Sequence, residues 1–161
     1  MRFDLRIATD CGTTTCSNGL VVSHLQGPPD LELVGSSIWP GSVCAHARIR
    51  AALGRYGRAT QPQELAALPA LDSPALKRFD ELLTLELIRA LGRLYVAEAL
   101  LAGTTTIIDL HESPRCISGS LDAIAGACRE LGARAVLSYG ASEGSGRAEG
   151  QFGLAECERF I

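Results

Sequence analysis

Apolar and charged side chains alternate from the start of the chain, Arg2-Phe3-Asp4-Leu5-Arg6-Ile7, which places Phe3, Leu5 and Ile7 on one face of a strand and the charges on the other. Leu20-Val21-Val22 and Leu31-Glu32-Leu33-Val34 continue as short strands, punctuated by Gly12, Gly19, Gly27-Pro28-Pro29-Asp30 and Gly35. Residues 2 to 38 therefore predict a small antiparallel layer with too few strands to close a sandwich. After Gly41 the period changes. Ser42 to His46 has the pattern of a buried strand, and Ile49 to Tyr56 opens a helix that Gly57 can stop. Gln61 to Leu76, bracketed by Pro62, Pro69 and Pro74, predicts a loop with one short helical turn. From about Ala75 to Leu101, leucines recur at helical spacing, with Gly92 as a bend and Gly103 as the cap.

Thr104-Thr105-Thr106-Ile107-Ile108-Asp109-Leu110 is the clearest strand, because β-branched side chains dominate it and a glycine precedes it. A helix over Ser118 to Leu131 ends at Gly132, and Ala133 to Tyr139 makes the next strand. Gly140 to Gly150 reads as a Gly/Ser/Glu-rich loop before a last helix over Phe152 to Phe160. Strand, helix, strand, helix, strand, helix implies an α/β fold with parallel strands and right-handed crossovers. A closed barrel takes eight such units over about 250 residues. The order predicts either a small open sheet or a piece of something larger. In either case the third strand leaves an unpaired edge and an apolar face, so a homo-oligomer or a heteromeric partner is expected to cover them.

The 161 residues, 47% hydrophobic and 20% charged, can bury an ordinary core. A net charge of -3, with the basic residues scattered among acidic ones, gives no reason to expect nucleic-acid binding. The amino terminus lacks the apolar core of a signal peptide and no run is long enough for a membrane span, so a cytoplasmic protein with no membrane partner is expected. Its six cysteines are then expected to be reduced. Cys11 and Cys16, with His24 downstream, have the spacing of half a zinc site without the second half. The alternative puts Cys11 and Cys16 near a turn and Cys44, Cys116 and Cys128 in the core. Trp39 and Tyr139 are expected to pack, at a domain junction and a pocket edge respectively.

Candidate chemistry gathers at the ends of two strands. A metal site at a strand end needs two imidazoles on one side, which His-x-His supplies. Here the stretch is His46-Ala47-Arg48, and a guanidinium has no lone pair to give a cation. Asp109, His111 and Glu112 lie at and just beyond the carboxyl end of the second strand, where barrel enzymes place their chemistry. They form a candidate catalytic set for acid/base work or for a new metal patch, against ordinary capping and loop hydrogen bonding.

Several motifs occur in the order they take in the amidohydrolase superfamily. Pro40-Gly41 to His46 resembles that family's Pro-Gly strand ending in His-x-His, and Ala102-Gly103-Thr104-Thr105-Thr106 with Asp109 resembles its second strand. His111-Glu112-Ser113-Pro114, the run Gly119 to Ala125, and Gly153-Leu154-x-Glu156-x-x-Arg159-Phe160-Ile161 resemble more narrowly the SsnA-like aminohydrolases within the cytosine-deaminase-like branch that includes chlorohydrolases. The resemblance covers the chain but only the amino-terminal part of the family's length. It implies a small β-sandwich-like segment, 1–38, feeding the first three units of a partial (β/α)8 TIM barrel, 39–161.

For chemistry, the resemblance implies a zinc or iron ion that activates water for hydrolysis of non-peptide C–N bonds, in deaminase or chlorohydrolase fashion. His46 matches the first metal ligand, Arg48 stands at the second, and the later ligands have no counterpart. The expectation is a residual metal position at His46 that binds no ion stably, in a chain inactive by itself. Three roles stay open. The chain is part of an amidohydrolase completed by a second chain, a non-catalytic assembly module, or a small independent enzyme built on Asp109, His111 and Glu112.

Overall fold

Asp4–Thr9 (β1) and Gly12–Ser17 (β2) pair antiparallel as a hairpin, and Leu20–Val22 (β3) adds antiparallel to β2. The computed structural model describes residues 4–24, 26–49, 81–143 and 146–161. Leu31–Leu33 (β4) completes a four-stranded sheet in the order β3-β2-β1-β4, and it runs parallel to β1. The layer is therefore mixed, where the sequence predicts an antiparallel one. The physical reason lies in Arg6 and Asp30. The Asp30 carboxylate accepts from the Arg6 backbone N–H at 2.8 Å and from its guanidinium at 2.9 and 3.0 Å, while the Asp30 N–H donates to the Arg6 carbonyl. This clamp lays the incoming chain along β1 in the parallel direction. The Arg6 hydrogen bond also holds the Asp30 carboxyl below its ordinary range.

β2 was not foreseen as a strand, because its threonines give no apolar alternation. Cys16 consequently lies in a strand opposite Leu5, while Cys11 is exposed at the hairpin turn. All six cysteines are free. Trp39, expected to pack, is 82% exposed. It lies on a stretch with no regular structure and shares the lining of an open pocket with Thr9, Gly12 and Ile38.

The chain divides into two units, Met1–Pro40 and Gly41–Ile161. The second is built from Ser42–Ala47 (β5), Leu85–Leu101 (α1), Thr104–His111 (β6), Ser120–Leu131 (α2), Arg134–Tyr139 (β7) and Arg147–Phe160 (α3). The three strands are parallel in the order β5-β6-β7. This gives a mixed α/β chain with three helices among the described residues. The expected helix over Ile49 to Tyr56 and the loop over Gln61 to Leu76 fall on residues 50–80, outside the described ones.

Of the long helix expected from Ala75, residues 75–80 lie outside the described ones, 81–84 are not helical, and the helix runs from Leu85. Thr84, in extended conformation, takes the Leu87 N–H on its side-chain oxygen at 3.2 Å and so defines the first turn. Gly92 does not interrupt α1; it lets α2 approach, since a Cβ there would stand 3.0 Å from the Ala127 Cβ. α2 begins at Ser120 with Gly119 as its left-handed N-cap (φ 83°), two residues later than expected. α3 begins at Arg147, five residues earlier than expected, because tertiary contact overrides the low helix propensity of Gly150 and Gly153.

One face of the parallel sheet meets the helices. Ala47, Ile107, Ile88, Leu91, Ile124 and Cys128 are buried there, with Cys44, Ala135 and Leu137 packed beside them. Each fully buried Leu or Ile contributes about 2 kcal/mol of transfer free energy. The other face stays open, with Val43, Ile108, Leu110 and Val136 between 38% and 60% exposed. Gly41 precedes β5 where it must pass the Thr105 side chain, and a Cβ at Gly41 would collide with that threonine. The Ser42 N–H then donates to the Gly103 carbonyl at 2.9 Å. The Pro-Gly and Gly-Thr-Thr-Thr stretches are thus one packing unit at the start of two adjacent strands.

Candidate functional site

The strand that carries His46 has an irregular end. Cys44 is paired with Ile107 and Ala47 with Asp109, so three steps along β5 match two along β6. After this shift Ala47 is buried and His46 is exposed. Arg48 follows the strand and folds back, donating its Nε–H to the His46 Nε2 at 2.9 Å. That lone pair is the one a metal ion would need. Arg48 therefore occupies the acceptor nitrogen of the candidate His46.

Asp109 and His111 occupy β6 on the helix-covered side, in register with Ile107, and are 1% and 2% exposed. The Asp109 Oδ1 accepts from the Ile49 N–H at 3.1 Å, which fastens the chain just after Arg48 to the second strand. His111 sets its ring edge-on to Tyr139, with centroids 6.1 Å apart. Glu112 is half-buried beyond the strand and its side chain covers Gly140, where a Cβ would stand 2.8 Å from the Glu112 Oε1. The Gly140 N–H donates to the His111 carbonyl at 2.8 Å. Asp109 and His111 thus share a buried side while His46 is exposed. The structure does not gather the four sequence candidates around one accessible point.

Tyr139 ends β7 and is buried, holding the loop after β6 by accepting the Ser113 N–H on its hydroxyl at 2.9 Å. Burial pushes that hydroxyl above its ordinary titration range, although the Ser113 bond works the other way. The Ser113 hydroxyl donates to the Cys116 carbonyl at 2.9 Å and closes the turn. Burial likewise raises the Cys128 thiol, with the Asp109 charge adding to it. A protonated phenol and a protonated thiol fit packing and loop support rather than base or nucleophile chemistry.

A second polar cluster joins α2 and α3. Glu156 is 2% exposed, and its carboxylate accepts the Gly119 N–H at 3.1 Å and the Leu121 N–H at 3.2 Å. Arg159 donates to the same carboxylate at 2.8 and 2.9 Å and also bonds Asp122. Burial alone would raise the Glu156 carboxyl, but the Arg159 guanidinium and the two backbone donors outweigh it and hold the group below its ordinary range. The only sequence sign of this cluster is the Glu156-x-x-Arg159 spacing, one helical turn.

Among the described residues no group of three or more His, Cys, Asp or Glu side chains is placed to hold a metal ion. No helix among them is long and apolar enough to cross a membrane.

Fold and site together define a mixed α/β chain with three parallel strand–helix units and a histidine near the end of β5 bonded by Arg48. No family model matches the chain. A mutant of the atrazine chlorohydrolase TrzN from Arthrobacter aurescens, complexed with zinc and atraton, is similar at a TM-score of 0.49 and 22% identity. The match covers 75% of this chain and 28% of that one, so this chain spans just over a quarter of that enzyme's length. A likeness of this size assigns no metal or substrate to the present chain.

Proposed function

We propose that the chain is an amidohydrolase-like segment, of deaminase or chlorohydrolase type, in which the metal position of the first barrel strand has become an arginine–histidine lock. The carrying observation is the 2.9 Å bond from the Arg48 Nε–H to the His46 Nε2. The ordered motifs support the reading, since the Pro-Gly and Gly-Thr-Thr-Thr stretches lie on adjacent parallel strands and pack on each other. On this reading the segment holds no catalytic ion by itself, because one imidazole is too few and its lone pair is taken. The family's hydrolysis is then not performed by these residues alone.

Metal analysis of the purified chain after zinc loading tests this. The expected result is substoichiometric zinc in the unsubstituted chain. Arg48→His, which frees the lone pair and adds a second imidazole, is expected to raise zinc affinity about tenfold or more, and His46→Ala to abolish that gain. Stoichiometric zinc or iron in the unsubstituted chain, lost in His46→Ala, would overturn the reading.

The open sheet face favours a second reading, a non-catalytic assembly module. Val43, Ile108, Leu110 and Val136 form one exposed apolar surface, and β7 pairs with β6 alone among the described strands. Light scattering is expected to give a mass above that of one chain as concentration rises. A compact monomer at the highest concentration would remove this reading.

A further inference from the structure

We propose that the Met1–Pro40 unit carries a binding site for one neutral, hydroxyl-rimmed ring, a pyranose sugar, stacked on Trp39 beside the β1–β2 turn. Every residue that lines the site belongs to this unit, so it does not depend on the amidohydrolase reading.

One wall is the hairpin turn. Thr9 pairs with Gly12, and the Thr9 Oγ1 donates to the Gly12 carbonyl at 3.2 Å while accepting the Cys11 N–H at 3.3 Å. The other wall is the segment that leaves β4. Leu33 of β4 pairs with Thr9 of β1, and the Gly35 N–H then donates to the Asp10 Oδ2 at 2.6 Å. That bond ties the outgoing segment to the turn and brings Ser37, Ile38 and Trp39 to the same cavity as Thr13 and Thr14. The walls are therefore set before any ligand arrives, which lowers the ordering cost of binding. The cavity measures about 300 Å³. Small-molecule sites run from roughly 300 to 1,000 Å³, so this one has room for a single ring.

The lining selects the class of ligand. Trp39 is 82% exposed and offers an indole face, whose negative quadrupole and dispersion surface attract the partly positive C–H groups of a ring. None of the lining residues is Asp, Glu, Lys, Arg or His, so a charged ligand would give up hydration without meeting a counter-charge in the lining. Thr13, Thr14 and Ser37 contribute hydroxyls, and each hydroxyl both donates and accepts. An aromatic hydrocarbon ring would displace water from those hydroxyls without replacing its hydrogen bonds. A pyranose supplies both halves, C–H groups on a ring face for the indole and hydroxyls around its rim for the threonines and the serine. The cavity is open on one side, so only part of the ring is covered and the dissociation constant is expected on the order of millimolar.

Trp39 reports on its own site, because it is the chain's single tryptophan. The methyl glycosides of glucose, galactose and mannose are titrated into the whole chain, with sorbitol and benzamide as further arms. At least one glycoside is expected to change the Trp39 emission saturably, while sorbitol, which has the hydroxyls without a ring, does not. Trp39→Ala is expected to weaken that glycoside about tenfold or more, followed by nuclear magnetic resonance on the Gly12 and Thr14 amides, with Trp39→Phe in between. Ser37→Ala is expected to weaken it about threefold in the emission titration. Both positions are exposed, so the variants are expected to keep the urea midpoint of the unsubstituted chain, and a loss of binding then reports on the site. No saturable response to any glycoside, an equal response to sorbitol, or unchanged binding in Trp39→Ala would overturn the site. Saturation by benzamide at lower concentration than by every glycoside would overturn the sugar class. The zinc measurement on His46 and Arg48 reads neither signal, so the two readings fail separately.

Discussion

Glu156→Ala is expected to cost roughly 3 kcal/mol of stability and to release α3 from the start of α2. The carboxylate is buried and is the cap that α2 lacks in its own sequence. Gly119, the N-cap, has no side chain, and the Ser120 hydroxyl is buried with no hydrogen-bond partner among the described residues. Removing Glu156 strands the Gly119 and Leu121 N–H groups at the positive end of a helix dipole and unties Arg159 from α3's inner face. Glu156→Gln keeps one acceptor oxygen and loses the charge, so an intermediate loss is expected. Urea midpoints at constant slope report both. A loss below about 0.5 kcal/mol for the alanine variant would mean that the cap is dispensable.

The same group sets an acid limit. Its carboxyl is held below the ordinary range in the folded chain, so its stabilisation is complete above the unfolded value of about 4.3 and disappears as pH falls through the lower folded value. The acid unfolding limb is therefore expected to be shallower in Glu156→Gln than in the unsubstituted chain.

What the sequence made legible follows from how each signal arises. The β6 strand and the stops at Gly103 and Gly132 were readable because β-branching and left-handed glycines act locally; φ is 81° at Gly103 and 84° at Gly132. Arg48 was readable as an obstacle to metal binding from its chemistry alone. Its bond to His46 was not, because the register shift that leaves His46 exposed depends on pairing with β6. The parallel entry of β4 was hidden for a similar reason, being set by Arg6 and Asp30, 24 residues apart. The start of α3 was missed because two glycines argue against a helix locally and only their packing argues for one. Alternation along β6 puts Asp109 and His111 on a common side, but alternation does not say that this side faces the helices.

Two helix-interior glycines should respond to alanine with opposite signs. At Gly126 in α2 a Cβ would meet nothing within 4 Å, so Gly126→Ala is expected to stabilise by about 0.5–1 kcal/mol through reduced freedom of the unfolded chain. At Gly153 in α3 a Cβ would stand 2.8 Å from the Tyr139 Cδ1 and 3.1 Å from the Ala141 Cα. The ring cannot move aside cheaply, since it is buried and its hydroxyl accepts the Ser113 N–H at 2.9 Å. Overpacking is therefore expected to outweigh the propensity gain and cost roughly 1–3 kcal/mol, with Gly153→Val worse because its branched side chain also meets the Ala141 backbone. A double-mutant cycle with Tyr139→Leu separates contact from propensity. Removing the ring should return much of what Gly153→Ala loses, as a coupling of about 1 kcal/mol. If Gly153→Ala stabilised the chain as Gly126→Ala does, α3 would not be seated on Tyr139. The Glu156 cap would then lose the docking that brings it to α2.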